Sequence, residues 1–207
     1  MNNKEETKLA HNAIAEKYFE LYKDDTTDLV YFDKFLNGLK NEILDLGCGM
    51  GHYSNYMSQK GFKVTGVDFS SKMIDIAKAN FKGIDFIVGD ICNLEILQNK
   101  KFDGIVVAYV LQHLSKQEVL NFFKNLNQYL KPDAKILLFL REGEGVIEEI
   151  EPINDKFKYV INEYSKEEIT SILKENGWKN IHLETKDYVE DEFSLAPTTI
   201  VVMADKK

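Results

Sequence analysis

Between Ile43 and Ser54 an apolar run ends in an acid and then meets three glycines, Gly47, Gly49 and Gly51, spaced by other residues before a helix-like segment begins. This order reads as a strand, a tight turn and a helix N-terminus. Glycine there lets the backbone turn with positive φ and lets a ligand approach closely. The free amides at the helix start favour a carboxylate or phosphate. Asp45, at the strand end, suits an ammonium group instead. A ligand carrying both groups has an amino-acid end.

The rest of the chain alternates strand and helix signals. Residues 7–22 form an amphipathic pattern, with Ile14, Tyr18, Leu21 and Tyr22 on one side, and a second helix is expected over 29–38. Strands are expected at 42–46, at Phe62 to Val67 and at Ile84 to Val88. Two more are expected at Phe102 to Val107 and Lys135 to Leu140, with Lys131-Pro132-Asp133 as a turn. Helices are expected over 51–60, from Ser70 or Ser71 to about Asn80, and over 115–130, the last opened by a Ser115/Glu118 capping box. Residues 142–160 read as irregular and acidic, with a short strand at 156–160. A helix capped by Ser165 and Glu168 follows, then strands near 179–188 and 197–204. Such alternation implies a parallel sheet covered on both faces. The last two strands leave no room for a crossover helix, so one of them must run antiparallel. In such sheets ligands bind at the carboxyl ends of the strands, near the switch in strand order. Asp45, Asp68, Asp90 and Ala108 all fall at such ends.

Asp68 closes the second strand, where a carboxylate can accept both hydroxyls of a ribose; its bland alternative is a helix cap. Together with the glycine turn, these residues resemble the class I S-adenosylmethionine-dependent methyltransferases of the small-molecule type. The Ile43-to-Ser54 stretch resembles motif I of that family, and S-adenosylmethionine has the amino-acid end that the turn suits. The resemblance covers roughly residues 10–140. It implies a three-layer Rossmann-like α/β fold: a seven-stranded, mostly parallel sheet with a C-terminal antiparallel hairpin and helices on both faces. A single domain is expected over 1–207, with an N-terminal helical lid (1–40), a cofactor-binding core (41–141) and an acceptor-side loop, helix and hairpin (142–207).

The resemblance also assigns roles. Asp45, Gly47, Cys48 and Gly49 would surround the methionine part, with the Ala108 carbonyl facing its ammonium. Asp90 would bond the adenine amino group and Ile91 would meet the ring through its backbone amide. Phe69 and Met73 either sandwich the adenine or simply pack in the core. Tyr18, in a His11-Asn12-x-x-Ala15-x-x-Tyr18 pattern, would lid the methionine moiety. His11 stands there where an aromatic residue is common. Tyr109 would sit near the transferred methyl, and His113 is the candidate general base, its alternative being a packed histidine at the start of a helix. After the fifth strand, Arg141 is a candidate to hold an acceptor carboxylate, or the acids Glu148, Glu149 and Glu151 would attract an amine, beside the alternative of a solvated acidic loop. Tyr159 and Tyr164 are candidates for the same pocket, beside the alternative of core rings.

The net charge of −8, without a cluster of lysine and arginine, disfavours nucleic acid. The two cysteines, Cys48 and Cys92, lack metal spacing, and no metal is expected. With no secretory signal and no apolar run approaching the ~20 residues of a membrane span, a cytoplasmic protein is expected, as monomer or homodimer. The segment after the fourth strand lacks the Pro-Pro-aromatic and Pro-Cys patterns of base-modifying enzymes. The expected reaction is therefore direct in-line methyl transfer to a small-molecule acceptor, leaving S-adenosylhomocysteine. Two alternatives stand beside it. One is a catalytically silent protein that binds the cofactor. The other is an NAD(P)-dependent reductase, whose fingerprint would need a glycine at His52.

Overall fold

The computed structural model describes residues 3–187 and 198–206. Along them run α1 (Asn3–Tyr22), α2 (Leu29–Leu36), β1 (Glu42–Leu46), α3 (His52–Gln59), β2 (Lys63–Asp68), α4 (Ser71–Asn80), β3 (Asp85–Val88), β4 (Phe102–Ala108), α5 (Lys116–Leu126), β5 (Leu130–Arg141), β6 (Val146–Ile150), β7 (Lys158–Asn162), α6 (Lys166–Glu175), β8 (Trp178–Asp187) and β9 (Thr198–Lys206). Seven strands form one sheet in the order β3-β2-β1-β4-β5-β9-β8. The first five are parallel, and β9 runs antiparallel to both its neighbours. The strand order reverses between β1 and β4, where ligands of such sheets sit.

The central strands are apolar on both faces because helices cover both. Ile105, Val107, Ile136 and Leu138 face a cluster built with Val119, Phe122, Phe123 and Leu126 of α5 and Ile169, Ile172 and Leu173 of α6. Ile43, Val106, Leu137 and Phe139 face Phe32, Phe35 and Leu36 of α2 and Met57 of α3. Helix α1 crosses the carboxyl ends of the strands, where Ile14 and Ala15 pack on Met50 and Met73.

Local chemistry sets several boundaries where the sequence placed them. Ser70 caps α4 by accepting the Met73 amide, and Ser115 and Glu118 cap α5 reciprocally. Two segments depart from expectation. Lys131-Pro132-Asp133 is not a turn ahead of β5 but a bulge inside it: Leu130 pairs with Phe102, the register shifts, and Lys135 pairs with Gly104. Asp133 takes φ +63 there, a conformation short polar side chains tolerate. Residues 146–162 form a second, two-stranded sheet, Val146 opposite Asn162 and Ile150 opposite Lys158. The acidic composition hid this hairpin, because on β6 Val146 and Ile150 face outward while Glu149 turns inward to Arg141, against the usual apolar-in, polar-out alternation.

Candidate active site

One cavity of about 600 Å³ runs beneath α1 along the carboxyl ends of β3, β2, β1 and β4. Its floor is the glycine turn. Gly47 takes φ +72, and a Cβ on it would come within 2.1 Å of Val110 Cγ2, so no other residue fits. A Cβ on Gly49 would meet nothing within 4 Å, which leaves that face of the turn open to a ligand. The Gly47 and Cys48 amides donate to the Val67 carbonyl at 2.7 and 3.0 Å, which ties the turn to β2.

Asp68, 6% exposed, stands at the end of β2 and organises this floor. Its Oδ2 accepts the Gly49 amide at 2.9 Å and its Oδ1 accepts the Ser70 amide at 2.8 Å. A carboxylate has lone pairs left after two such bonds, so both oxygens can still accept ligand hydroxyls. Burial raises its carboxyl above the usual range, against the opposing pull of nearby His11 and the two amides. Asp90, at the end of β3, accepts the Cys92 amide at 2.9 Å and pairs with Lys4 of α1. The α1 helix is thus pinned over the β3 end of the cavity by an ion pair.

Several expected residues line this cavity together: Tyr18, Gly47, Cys48, Gly49, Asp68, Phe69, Met73, Asp90, Ile91, Ala108, Tyr109 and His113. Met73 also packs against Ile14 of α1, so its two readings coexist. Tyr109 holds φ +60, a strained conformation for an aromatic residue, and projects from the end of β4. Its hydroxyl donates to Asp28 Oδ2 at 3.0 Å, and the Tyr53 hydroxyl donates to the same atom at 2.6 Å.

Three expectations meet a different geometry. Asp45 does not line the cavity. It is 1% exposed, lies behind the turn and accepts the Ser54 hydroxyl at 2.6 Å. Burial pushes its carboxyl up to about 7, with Ser54 opposing and Asp68 adding to the rise. Arg141 is also buried away from the cavity, bound to Glu149 at 2.6 Å and Glu163 at 3.1 Å, where it ties β5 to the hairpin. Tyr164 is fully buried, donates to the Leu111 carbonyl at 3.3 Å and carries the Lys116 ammonium 3.6 Å over its ring.

His113 is on the wall but is a poor base. Burial, with nearby His11 adding to it, pulls its imidazole down to about 3. Its Nδ1 is buried without a hydrogen-bond partner, as is His52 Nδ1, both belonging to lining residues. Asp28, His52 and Tyr53 are lining residues that no local pattern announced, whereas Glu151 comes from the acidic stretch expected near the acceptor. Asp28 sits in an ordinary polar link between helices. All four reach the site only because α2, α3 and the hairpin converge on it.

Residues 43–133 match the sequence profile of a family described as "Methyltransferase domain". YqeM of Bacillus subtilis is 35% identical over 118 residues, covering 55% of this chain and 47% of that protein. The demethylmenaquinone methyltransferase of Thermotoga maritima is 33% identical over 117 residues, covering 56% of this chain and 46% of that enzyme. The chain thus spans about half the length of the curated relatives it matches. The 1,6-didemethyltoxoflavin-N1-methyltransferase of Burkholderia thailandensis, solved with its namesake compound and S-adenosylhomocysteine bound, superposes with a TM-score of 0.74 at 16% identity, over 98% of this chain and 88% of that one. That likeness is one of fold. Among the described residues no helix is long and apolar enough to cross a membrane.

Proposed function

We propose that this chain, whose residues 43–133 match a methyltransferase domain, is a class I S-adenosylmethionine-dependent methyltransferase that moves a methyl group to a small-molecule acceptor by direct in-line transfer. The carrying observation is one cavity in which Asp90, Asp68, the glycine turn and Ala108 follow one another across β3, β2, β1 and β4. Those groups suit, in that order, an adenine, a ribose, and the carboxylate and ammonium of a methionine.

The residues present fit that ligand. Asp68 retains acceptor capacity for two ribose hydroxyls, and Gly49 leaves the adjoining space open. Phe69 and Ile91 supply apolar wall for the adenine. Asp45, held by Ser54, stiffens the turn from behind and acts on the methionine end through the backbone it supports. When bound, S-adenosylmethionine supplies a methyl group already activated on a sulfonium. The Tyr18 and Tyr109 rings line that part of the cavity, and aromatic faces favour a cation. His113 stays neutral at any physiological pH, so it serves as a wall and hydrogen-bonding group rather than a proton store. The chain's contribution to rate is therefore alignment of acceptor and methyl, with water excluded beneath α1.

Calorimetric titration with S-adenosylmethionine, S-adenosylhomocysteine and NADH tests the reading. Micromolar binding of the first two and none of NADH is expected. Binding of NADH alone would sink it. A cofactor-binding protein without catalysis is separated by turnover: formation of S-adenosylhomocysteine with any acceptor excludes it.

A further inference from the structure

The strand order puts Asp90 and Tyr109 at opposite ends of the cavity. Beyond Tyr109 the cavity continues toward the junction of α1 and α2. Phenol rings of Tyr18, Tyr22, Tyr53 and Tyr109 wall this half, and carboxylates of Asp25, Asp28 and Glu151 stand among them. Asp28 is answered by Lys186 of β8. Among the described lining residues the one lysine is Lys4, and it sits at the other end on Asp90. A sulfonium placed beneath Tyr18 would answer one of the remaining charges, and the ligand's own carboxylate and ammonium cancel.

One buried polar atom here points to a further ligand. The His52 ring lies 3.8 Å from the Tyr53 ring, centroid to centroid, and its Nδ1 has no partner. The hydroxyl of Tyr159, 2% exposed, lies against the Glu151 carboxylate. A buried polar group without a partner costs stability unless a ligand meets it.

We propose that this half of the cavity binds an organic ammonium, so that the methyl acceptor carries a protonated amine held among Tyr22, Tyr53, His52 and Asp25. The proposal rests on the methyltransferase reading of the same cavity. An ammonium gains from the ring faces and from the carboxylates together, whereas a carboxylate would meet like charge. His52 strengthens the selection. Burial pulls its imidazole down to about 4 even though Asp25 and Asp28 oppose, so it adds no positive charge and offers an unprotonated nitrogen to an N–H donor. The Tyr18 hydroxyl reports the same field: after burial, Tyr22, Glu151, Asp25 and Asp28 all raise it.

The test compares three probes of matched size, phenethylammonium, phenylacetate and 4-ethylphenol, by ligand-observed NMR on the full chain saturated with S-adenosylhomocysteine. The ammonium is expected to bind about tenfold tighter than either other probe, a difference of roughly 1.4 kcal/mol. Asp25→Asn, which keeps a side-chain oxygen for the Thr27 amide, is expected to reduce that preference severalfold while S-adenosylhomocysteine affinity holds. Equal or tighter binding of the carboxylate or the phenol, or no binding of the ammonium, overturns the proposal and leaves the methyltransferase reading standing. Failure of S-adenosylhomocysteine itself to bind removes both.

Discussion

Asp68 joins two duties in one carboxylate. It holds the amides of Gly49 and Ser70, and it faces the cavity where a ribose is proposed. Asp68→Ala should therefore weaken S-adenosylhomocysteine binding by at least tenfold, since charge-assisted hydrogen bonds are worth about 1.5–3 kcal/mol each. It should also lower the melting temperature, because two buried amides lose their acceptor. Titration calorimetry and a thermal melt read the two effects separately, and unchanged affinity in a folded variant would remove the ribose assignment. Gly47 makes the companion case for backbone. Gly47→Ala drives a methyl into Val110 at a φ that alanine resists, and a loss of a few kcal/mol is expected in chemical denaturation.

At the scale of elements, the second sheet is joined to the main one through a buried charge. Arg141 at the end of β5 holds Glu149 of β6 and Glu163 just past β7. Removing one partner of a buried pair strands the others, at a cost of about 3–5 kcal/mol. Arg141→Met should accordingly destabilise the fold by that order, read by denaturant midpoint. Its S-adenosylhomocysteine affinity should stay within about twofold. A large loss of affinity with full stability would instead return Arg141 to the site. The same scale explains Tyr109. Its φ of +60 is held from outside β4, by an aspartate that precedes α2 and that also takes Tyr53 of α3 and Lys186 of β8.

For the molecule as a whole, stability against pH is a balance of buried groups with opposite signs. His52 and His113 have folded pKa values of about 4 and about 3, below their unfolded value of 6.5. The unfolded chain binds more protons between those values, so these two groups make stability fall as pH drops below about 6.5. Asp45 does the reverse. Its folded value of about 7 lies above the unfolded 3.8, so its contribution is present at low pH and is lost as pH rises through that window. Asp45→Asn removes the Asp45 share of the second trend and leaves the first. Denaturation measured from pH 4 to pH 7 should then show a steeper gain of stability with pH in the variant than in the parent chain. An unchanged slope would mean that Asp45 ionises normally in the fold.

The residues themselves determined much of this protein through interactions short in sequence. The turn at Gly47, the caps at Ser70 and Ser115, the apolar strands and the strand-end acids Asp68 and Asp90 all follow from neighbours a few positions apart. Periodicity and local hydrogen bonding suffice to place such features. What only the tertiary structure decided depends on segments far apart in the chain meeting at one place. Asp45, inside the motif, turned inward to Ser54, since the turn itself screens it from the cavity. Arg141 and Tyr164 were claimed by the hairpin and the core, because a buried charge and a buried hydroxyl take the nearest partners available. Asp28, His52 and Tyr53 came to the site from a link between helices and the start of a helix. No spacing in the sequence encodes that convergence, because it is set by how α1, α2, α3 and the second sheet pack over the strand ends.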